Sequence, residues 1–257
     1  ARELQMDPTV IREKNMVHEG DLMPAYYGET ANSCALDRCV DKAMEMIGWD
    51  EKYPRKDMGN GKVRAVGLAM AMQGSAISGV DVGSVTIKVN DDGFYSMTIG
   101  ASDMGTGCDT TLAQVAAECL DCELDDIVVY GVDTDISPYD SGSYASSTAY
   151  LTGMAVVKTC ESLKKKILKK AAEYLNCSED DLEFTGKTVR RLNAPEGEPT
   201  EITLKDIGNK AMCFNEEALQ ATESHTSPVS PPPFMAGAAE VEIDKETGHI
   251  ELIQFAA

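Results

Sequence analysis

The sequence predicts an α+β fold, and three observations carry that expectation. Segments with helical periodicity and segments with strand-like alternation are both present, and they do not follow a strict β-α-β rhythm. Apolar residues make up 43% of the 257 positions, enough for a substantial core. Turn chemistry separates the strand-like segments at short intervals, as in Asn90-Asp91-Asp92-Gly93 and Asp244-Lys245-Glu246-Thr247-Gly248.

Taken in order, residues 1 to 16 read as the end of one helix and the start of another, because Pro8 behind the cap Asp7 is a helix-start signal. Between Ala31 and Ile47 the apolar residues Ala35, Val40, Ala43, Met44 and Ile47 fall at helical spacing that ends at Gly48. The polar stretch 50 to 62, with Pro54 and Gly59, is the best boundary candidate, so the expected division is 1–59 and 60–257. Val63 to Gln73 reads as a strand, and Val85–Val89 with Phe94–Ile99 as a hairpin. Leu112, Val115, Ala116, Cys119 and Leu120 define an amphipathic helix, Ile127 to Val132 a further strand, and Thr152 to Tyr174 a long helix. Its lysine run, Lys164 to Lys166, reads as a solvated face. Ser178 with Asp181, and Thr203 with Asp206, are capping signals that flank a small hairpin over Glu183–Val189. Residues 222 to 233, which include Pro228 and Pro231 to Pro233, are expected to be extended loop, and 240–243 with 249–255 a final hairpin.

Composition excludes several function classes. A formal charge of −20 repels a phosphate backbone or an anionic membrane, so nucleic acid and membrane are not expected partners. The eight cysteines are scattered through a chain that does not need disulfide staples and read as reduced thiols. Cys119-x-x-Cys122 lacks a second pair, and His18, His225 and His249 are mutually isolated, so no protein-ligated metal is indicated. No apolar run reaches the ~18 residues of a membrane span and nothing resembles a signal peptide, which reads as a cytoplasmic protein. The chain begins without Met in an apparent helix and stops directly after a strand, so both ends are expected to be cuts.

Two stretches carry candidate chemistry. Asp103-Met104-Gly105-Thr106-Gly107 follows a strand and precedes a helix, where glycines let the backbone approach a ligand and free N–H groups can receive oxygens. A tight turn is the better explanation of such a sequence when nothing else is known, and Asp103 itself reads as a turn or capping residue rather than a base. Downstream of Asp133-Thr134-Asp135, the hydroxyls of Ser141, Ser143, Ser146, Ser147 and Thr148 crowd the start of the long helix. There they can donate to a phosphate without adding charge, or simply supply a loop with one cap.

The order of these features resembles one family. Ala1-Arg2-Glu3-Leu4-Gln5-Met6-Asp7-Pro8 with Arg12 and Asn15 is similar to the A-x-E-L-x-x-D-P-x-x-x-R-x-x-N stretch of the molybdopterin-binding part of the xanthine dehydrogenase and aldehyde oxidase family. The segments Gly79–Gly107, Asp133–Asp135, Ser141–Thr148 and Phe234–Gly248 resemble that family in the same order, over nearly the whole chain. The resemblance implies an oxidoreductase that hydroxylates a purine, another heteroaromatic ring or an aldehyde with oxygen from water. Its molybdenum–molybdopterin cofactor, with the presence of a cytosine nucleotide left open, passes electrons to iron–sulfur clusters and FAD on other domains or subunits.

Carried over residue by residue, the resemblance assigns cofactor binding to Met104, Gly105, Thr106, Gly107, Ala145, Ser146 and Thr148. Thr106 stands where the family usually has Gln, which removes a long amide contact. It also implies that 1–59 is the remnant of a preceding molybdopterin-binding domain and 60–257 a second such domain, truncated at its C-terminal end. The family's glutamate base lies in a G-x-G-E motif, and its upstream cofactor loops are of F-G-G-K and F-R-G-F-G type. None of the three occurs in the sequence, so no catalytic residue is assigned and the piece alone is expected to be inactive. The competing reading from another class is a non-redox module whose two loops grip a phosphate or nucleotide for assembly.

Overall fold

Asp7 and Pro8 open the first helix as their chemistry requires. In the computed structural model, which describes residues 1–24, 28–213 and 217–257, Asp7 Oδ1 accepts from the Thr9 N–H at 2.8 Å at the start of α1 (Pro8–Asn15). The described chain divides into two compact units, residues 1–74 with 231–257 and residues 75–230.

In the first unit, short strands β1 (Leu22–Met23) and β2 (Glu29–Thr30) pair antiparallel ahead of helix α2 (Leu36–Ile47). Leu36, Val40, Ala43 and Ile47 form the buried face of α2, which ends at Gly48 in the left-handed conformation. A one-turn helix α3 (Trp49–Lys52) and strand β3 (Arg55–Asp57) follow. Strands β4 (Lys62–Met72), β12 (Phe234–Asp244) and β13 (Ile250–Ala256) complete an antiparallel sheet in the order β13-β12-β4-β3. Arg55 pairs with Ala65 and Asp57 with Val63, so the polar stretch 50–62 lies inside this unit rather than between two. Turn residues look alike in a hairpin and in a linker, and only the pairing separates them. The terminal hairpin is present, with its first strand reaching back to Phe234.

The second unit is built on strand β5 (Val82–Val89), β6 (Tyr95–Ile99), helix α4 (Cys108–Leu120), β7 (Ile127–Tyr130) and helix α5 (Thr148–Leu175). Its four-stranded sheet runs β11-β5-β6-β7, with β7 parallel to β6 and strand β11 (Gln220–Thr226) antiparallel to β5. Period-two burial along β5 and β6 turns Val85, Ile87, Val89, Tyr95, Met97 and Ile99 into the core, against Leu112 and Ala116 of α4 and Ala155, Leu163 and Ile167 of α5. A smaller antiparallel sheet of β8 (Leu182–Phe184), β9 (Thr188–Arg191) and β10 (Glu201–Thr203) leads into helix α6 (Leu204–Cys213). Ser178 caps the turn before β8, and Thr203 Oγ1 accepts from the Asp206 N–H at 3.1 Å, matching both capping signals.

One expectation is corrected: the first part of 222–233 is the strand β11, and irregular chain begins only at Ser227. Thr222, Glu223, Ser224 and His225 lack apolar alternation because β11 is an edge strand with one side toward water. All eight cysteines are free. Among the described residues, no helix is long and apolar enough to cross a membrane.

Candidate functional site

The first candidate loop joins the end of β6 to α4. Asp103 Oδ1 accepts from the N–H groups of Gly105 at 2.7 Å, Thr106 at 3.0 Å and Gly107 at 3.2 Å. Gly105 and Gly107 take positive φ of 101° and 72°, which lets three successive N–H groups converge on one oxygen. The Gly105 N–H, followed by those of Gly107, Thr106 and Cys108, holds the Asp103 carboxyl below the usual carboxylate range. This is the turn role expected of Asp103. It also changes what the loop offers: these N–H groups are already engaged, so a ligand meets the Met104 and Thr106 side chains. Met104 is 69% exposed.

A pH dependence follows from that geometry. A carboxyl whose folded pKa is depressed stabilises the loop above its unfolded pKa, and the contribution is lost as pH falls through the lower folded value. The amide proton shifts of Gly105, Thr106 and Gly107 are therefore expected to titrate together, with a midpoint below an ordinary Asp value of about 3.9. An NMR titration giving separate midpoints, or a shared one at or above that value, contradicts the assignment.

The second loop runs from the end of β7 to α5 and is fastened at many points. Asp140 accepts from the Gly142 N–H at 2.8 Å and from the Thr152 hydroxyl at 3.0 Å. The Ser141 N–H donates to the Val82 carbonyl at 3.0 Å while its Oγ accepts from the Val82 N–H at 3.1 Å. The Ser143 hydroxyl donates to the Ser102 carbonyl at 3.1 Å, tying this loop to the first. Buried Asp81 accepts from the Tyr144 hydroxyl and, at 2.7 Å, from the Ile77 N–H. The hydrogen bond to Asp81 pushes the Tyr144 phenol up. These anchors hold Ala145 and Ser146 in left-handed conformations, with φ of 52° and 54°. Such conformations cost non-glycine residues roughly 1–2 kcal/mol each and persist only where surrounding contacts impose them.

The two loops meet. Met104, Thr106, Cys108, Thr111, Leu112, Ser143, Ser146, Thr148 and Ala149 line one cavity of about 160 Å³. Of the seven residues assigned to the cofactor, Met104, Thr106, Ser146 and Thr148 line it, whereas Gly105, Gly107 and Ala145 shape the backbone beside it. The hydroxyl cluster divides. Ser143, Ser146 and Thr148 reach the cavity, while Ser141 binds β5 and the Ser147 hydroxyl donates to the carbonyls of Gly142 and Tyr144. Asp133 and Asp135 do not line it; the Asp133 carboxylate accepts from the Asp135 N–H at 2.9 Å.

Cys108, Thr111, Leu112 and Ala149 are the lining residues that motif reading missed. Their only signal is position, since the first turns of two helices end at one place. Burial, then Asp109, pushes the Cys108 thiol up to about 11, so it is neutral at physiological pH. Asp103, Cys108 and Asp109 bring potential ligand atoms within 4.8 Å of one another, which explains the carboxylate contributions to that shift.

The donor set suits part of a phosphorylated pterin. Among the described residues no charged side chain lines the cavity, five of its nine residues are Ser or Thr, and no side chain caps the N-terminus of α5 at Ser147. The two helix starts therefore differ, because Asp103 already places a carboxylate at the approach to α4. A cavity smaller than the roughly 300–1,000 Å³ of complete cofactor sites accommodates a fragment of such a group.

Comparison with known proteins identifies the family. The pattern of the molybdopterin cofactor-binding domain matches residues 42–257. The chain is 34% identical over its full length to the probable hypoxanthine oxidase XdhD of Escherichia coli, of which it covers 27%. It is 30% identical to the putative xanthine dehydrogenase molybdenum-binding subunit XdhA of the same organism, over 95% of this chain and 33% of that one. Reconstituted CO dehydrogenase from Oligotropha carboxidovorans superposes with a TM-score of 0.77 at 25% identity, over 99% of this chain and 34% of that chain. The aldehyde oxidoreductase from Desulfovibrio desulfuricans shares the fold, with a TM-score of 0.70 at 20% identity. The chain thus spans about a third of the length of its relatives, and it belongs to the molybdopterin cofactor-binding domain family of the molybdenum hydroxylases.

Proposed function

We propose that the chain works within a larger, cytoplasmic, xanthine dehydrogenase-like hydroxylase, where its two loops hold one portion of the molybdenum–molybdopterin cofactor. The observation that carries this reading is the convergence of Met104 and Thr106 with Ser143, Ser146 and Thr148 on a single uncharged cavity. When bound, the cofactor supplies the redox centre for oxidative hydroxylation of a purine, another heteroaromatic compound or an aldehyde, with water as oxygen source. The chain's own residues bind and orient. Thr106, Ser146 and Thr148 present hydroxyls to cofactor oxygens or ring nitrogens, and the start of α5 presents unpaired-type helix donors to a phosphate. Met104 and Leu112 provide apolar cover that keeps water from those contacts. Gly105, Gly107 and Ala145 set the backbone paths that aim them.

Thr106 in place of Gln shortens the reach of the first loop, so the hydroxyls of the second loop carry more of the grip. In this reading iron–sulfur and flavin partners receive the electrons. The base and the remaining cofactor loops come from outside residues 1–257. The complete polypeptide, produced under cofactor-replete conditions, is expected to contain molybdenum and pterin in equal amounts and to reduce a dye with a purine or aldehyde, whereas the isolated chain reduces none. A complete polypeptide free of molybdenum removes this function.

A further inference from the structure

The sheet of the first unit has two unlike faces. Alternation along β4 and β12 turns Val66, Leu68, Ala236 and Ala238 into a cluster with α2. On the other face Gly67 pairs with Ala239 and Ala69 with Gly237, a floor of small residues. Met235 and Phe255 stand at its margins, 54% and 61% exposed. The trough they define holds about 550 Å³, and among the described residues no charged side chain lines it. In a chain with a net charge of −20, an uncharged open face of this size is not ordinary solvated surface.

Three occupants are conceivable, and the chemistry selects one. A small ligand needs a few convergent polar groups to fix its orientation, and this trough is walled by Gly, Ala, Val, Leu, Met and Phe alone. A second copy would bring two chains of −20 together. The relatives supply the third. The chain matches XdhD over all of itself but 27% of that protein, and XdhA over 95% of itself but 33% of that one. Most of each relative is therefore polypeptide outside the matched region. We infer that the trough formed by Gly67, Ala69, Met235, Gly237, Ala239 and Phe255 is a docking surface for an apolar segment of the same hydroxylase lying outside residues 1–257. This rests on the reading of the chain as part of a larger hydroxylase. The floor of glycine and alanine lets an incoming backbone approach closely, while Met235 and Phe255 close over its sides.

The test places one thiol on the floor by Ala69→Cys and follows its maleimide labelling by peptide mass mapping, in the isolated chain and in the complete polypeptide. The expected result is rapid labelling in the isolated chain and labelling at least tenfold slower in the complete polypeptide. Equal rates in both overturn the inference. Slow labelling of the isolated chain that becomes rapid on dilution overturns it also, because the cover is then a second copy. As a second variant, Ala69→Arg is expected to leave the melting temperature of the isolated chain unchanged and to lower that of the complete polypeptide; no difference between the two contradicts docking. Molybdenum content of the same samples judges the functional reading separately. A protected face without molybdenum removes the function and keeps the docking surface, whereas molybdenum with a freely labelled face does the reverse.

Discussion

Gly100→Ala is expected to destabilise the second unit and to empty the cofactor site of the complete enzyme, although residue 100 does not line the cavity. A Cβ on Gly100 would stand 2.4 Å from the Pro138 carbonyl oxygen and 2.6 Å from the Asp140 Cβ. Neither neighbour is the free end of a flexible side chain. The Pro138–Asp140 segment must therefore move, and it is the segment whose carboxylate accepts from the Gly142 N–H and the Thr152 hydroxyl. Overpacking of this kind costs about 1–3 kcal/mol. In a unit of this size that lowers the melting temperature by roughly 2–4 °C per kcal/mol. The larger consequence is positional, because displacement of a loop that carries Ser143, Ser146 and Thr148 misaligns every hydroxyl it presents. Gly153→Ala in α5 is the control. A Cβ there meets nothing within 4 Å, so this change is expected to be neutral or to stabilise by about 0.5–1 kcal/mol. Calorimetry with molybdenum analysis checks both; wild-type stability and occupancy in Gly100→Ala would show that the close approach is not maintained in solution.

The paired change Ser146→Ala with Thr148→Val is expected to release cofactor from the complete enzyme while lowering stability little. Each hydrogen bond lost to a charged or buried cofactor atom weakens retention by roughly 1.5–3 kcal/mol, on the order of tenfold or more. A residue that merely caps a helix costs about 1 kcal/mol of stability on replacement by Ala and nothing in occupancy. The structure sharpens the contrast. The N-cap position of α5 is Ser147, whose hydroxyl donates to the carbonyls of Gly142 and Tyr144, so capping is not what the residue on either side is placed to do. Molybdenum retained in full, with only a lower melting temperature, would return both residues to a structural role.

The two candidate loops were legible because their composition is extreme and each lies at a strand-to-helix or loop-to-helix junction. What could not be read was the division of labour inside them. Of five hydroxyls crowded into 141–148, those of Ser141 and Ser147 fasten the loop, Ser146 and Thr148 line the cavity and Ser143 does both, and nothing in a run of Ser and Thr distinguishes these roles. The glycines read as places for close backbone approach ahead of the free N–H groups of the helix, and nothing in the sequence shows that Asp103 engages the Gly105, Thr106 and Gly107 N–H groups. Cys108 and Leu112 gave no motif signal because an inward-facing first turn of a helix looks like any core position.

The chain by itself determined its elements, because helix caps, period-two alternation and turn residues act over a few positions and are written locally. Asp7-Pro8, Gly48, Ser178 and Thr203 each begin or end an element where they were expected to. It also determined the cofactor family, since ordered motifs survive without a map of contacts. Tertiary structure alone decided that β3 and β4 join β12 and β13 in one sheet, that the polar run ending at Thr226 is an edge strand, and that residues near 105 and 146 share a cavity. Pairing across long sequence separations depends on which surfaces bury each other, and burial is a property of the whole fold rather than of any window along the chain.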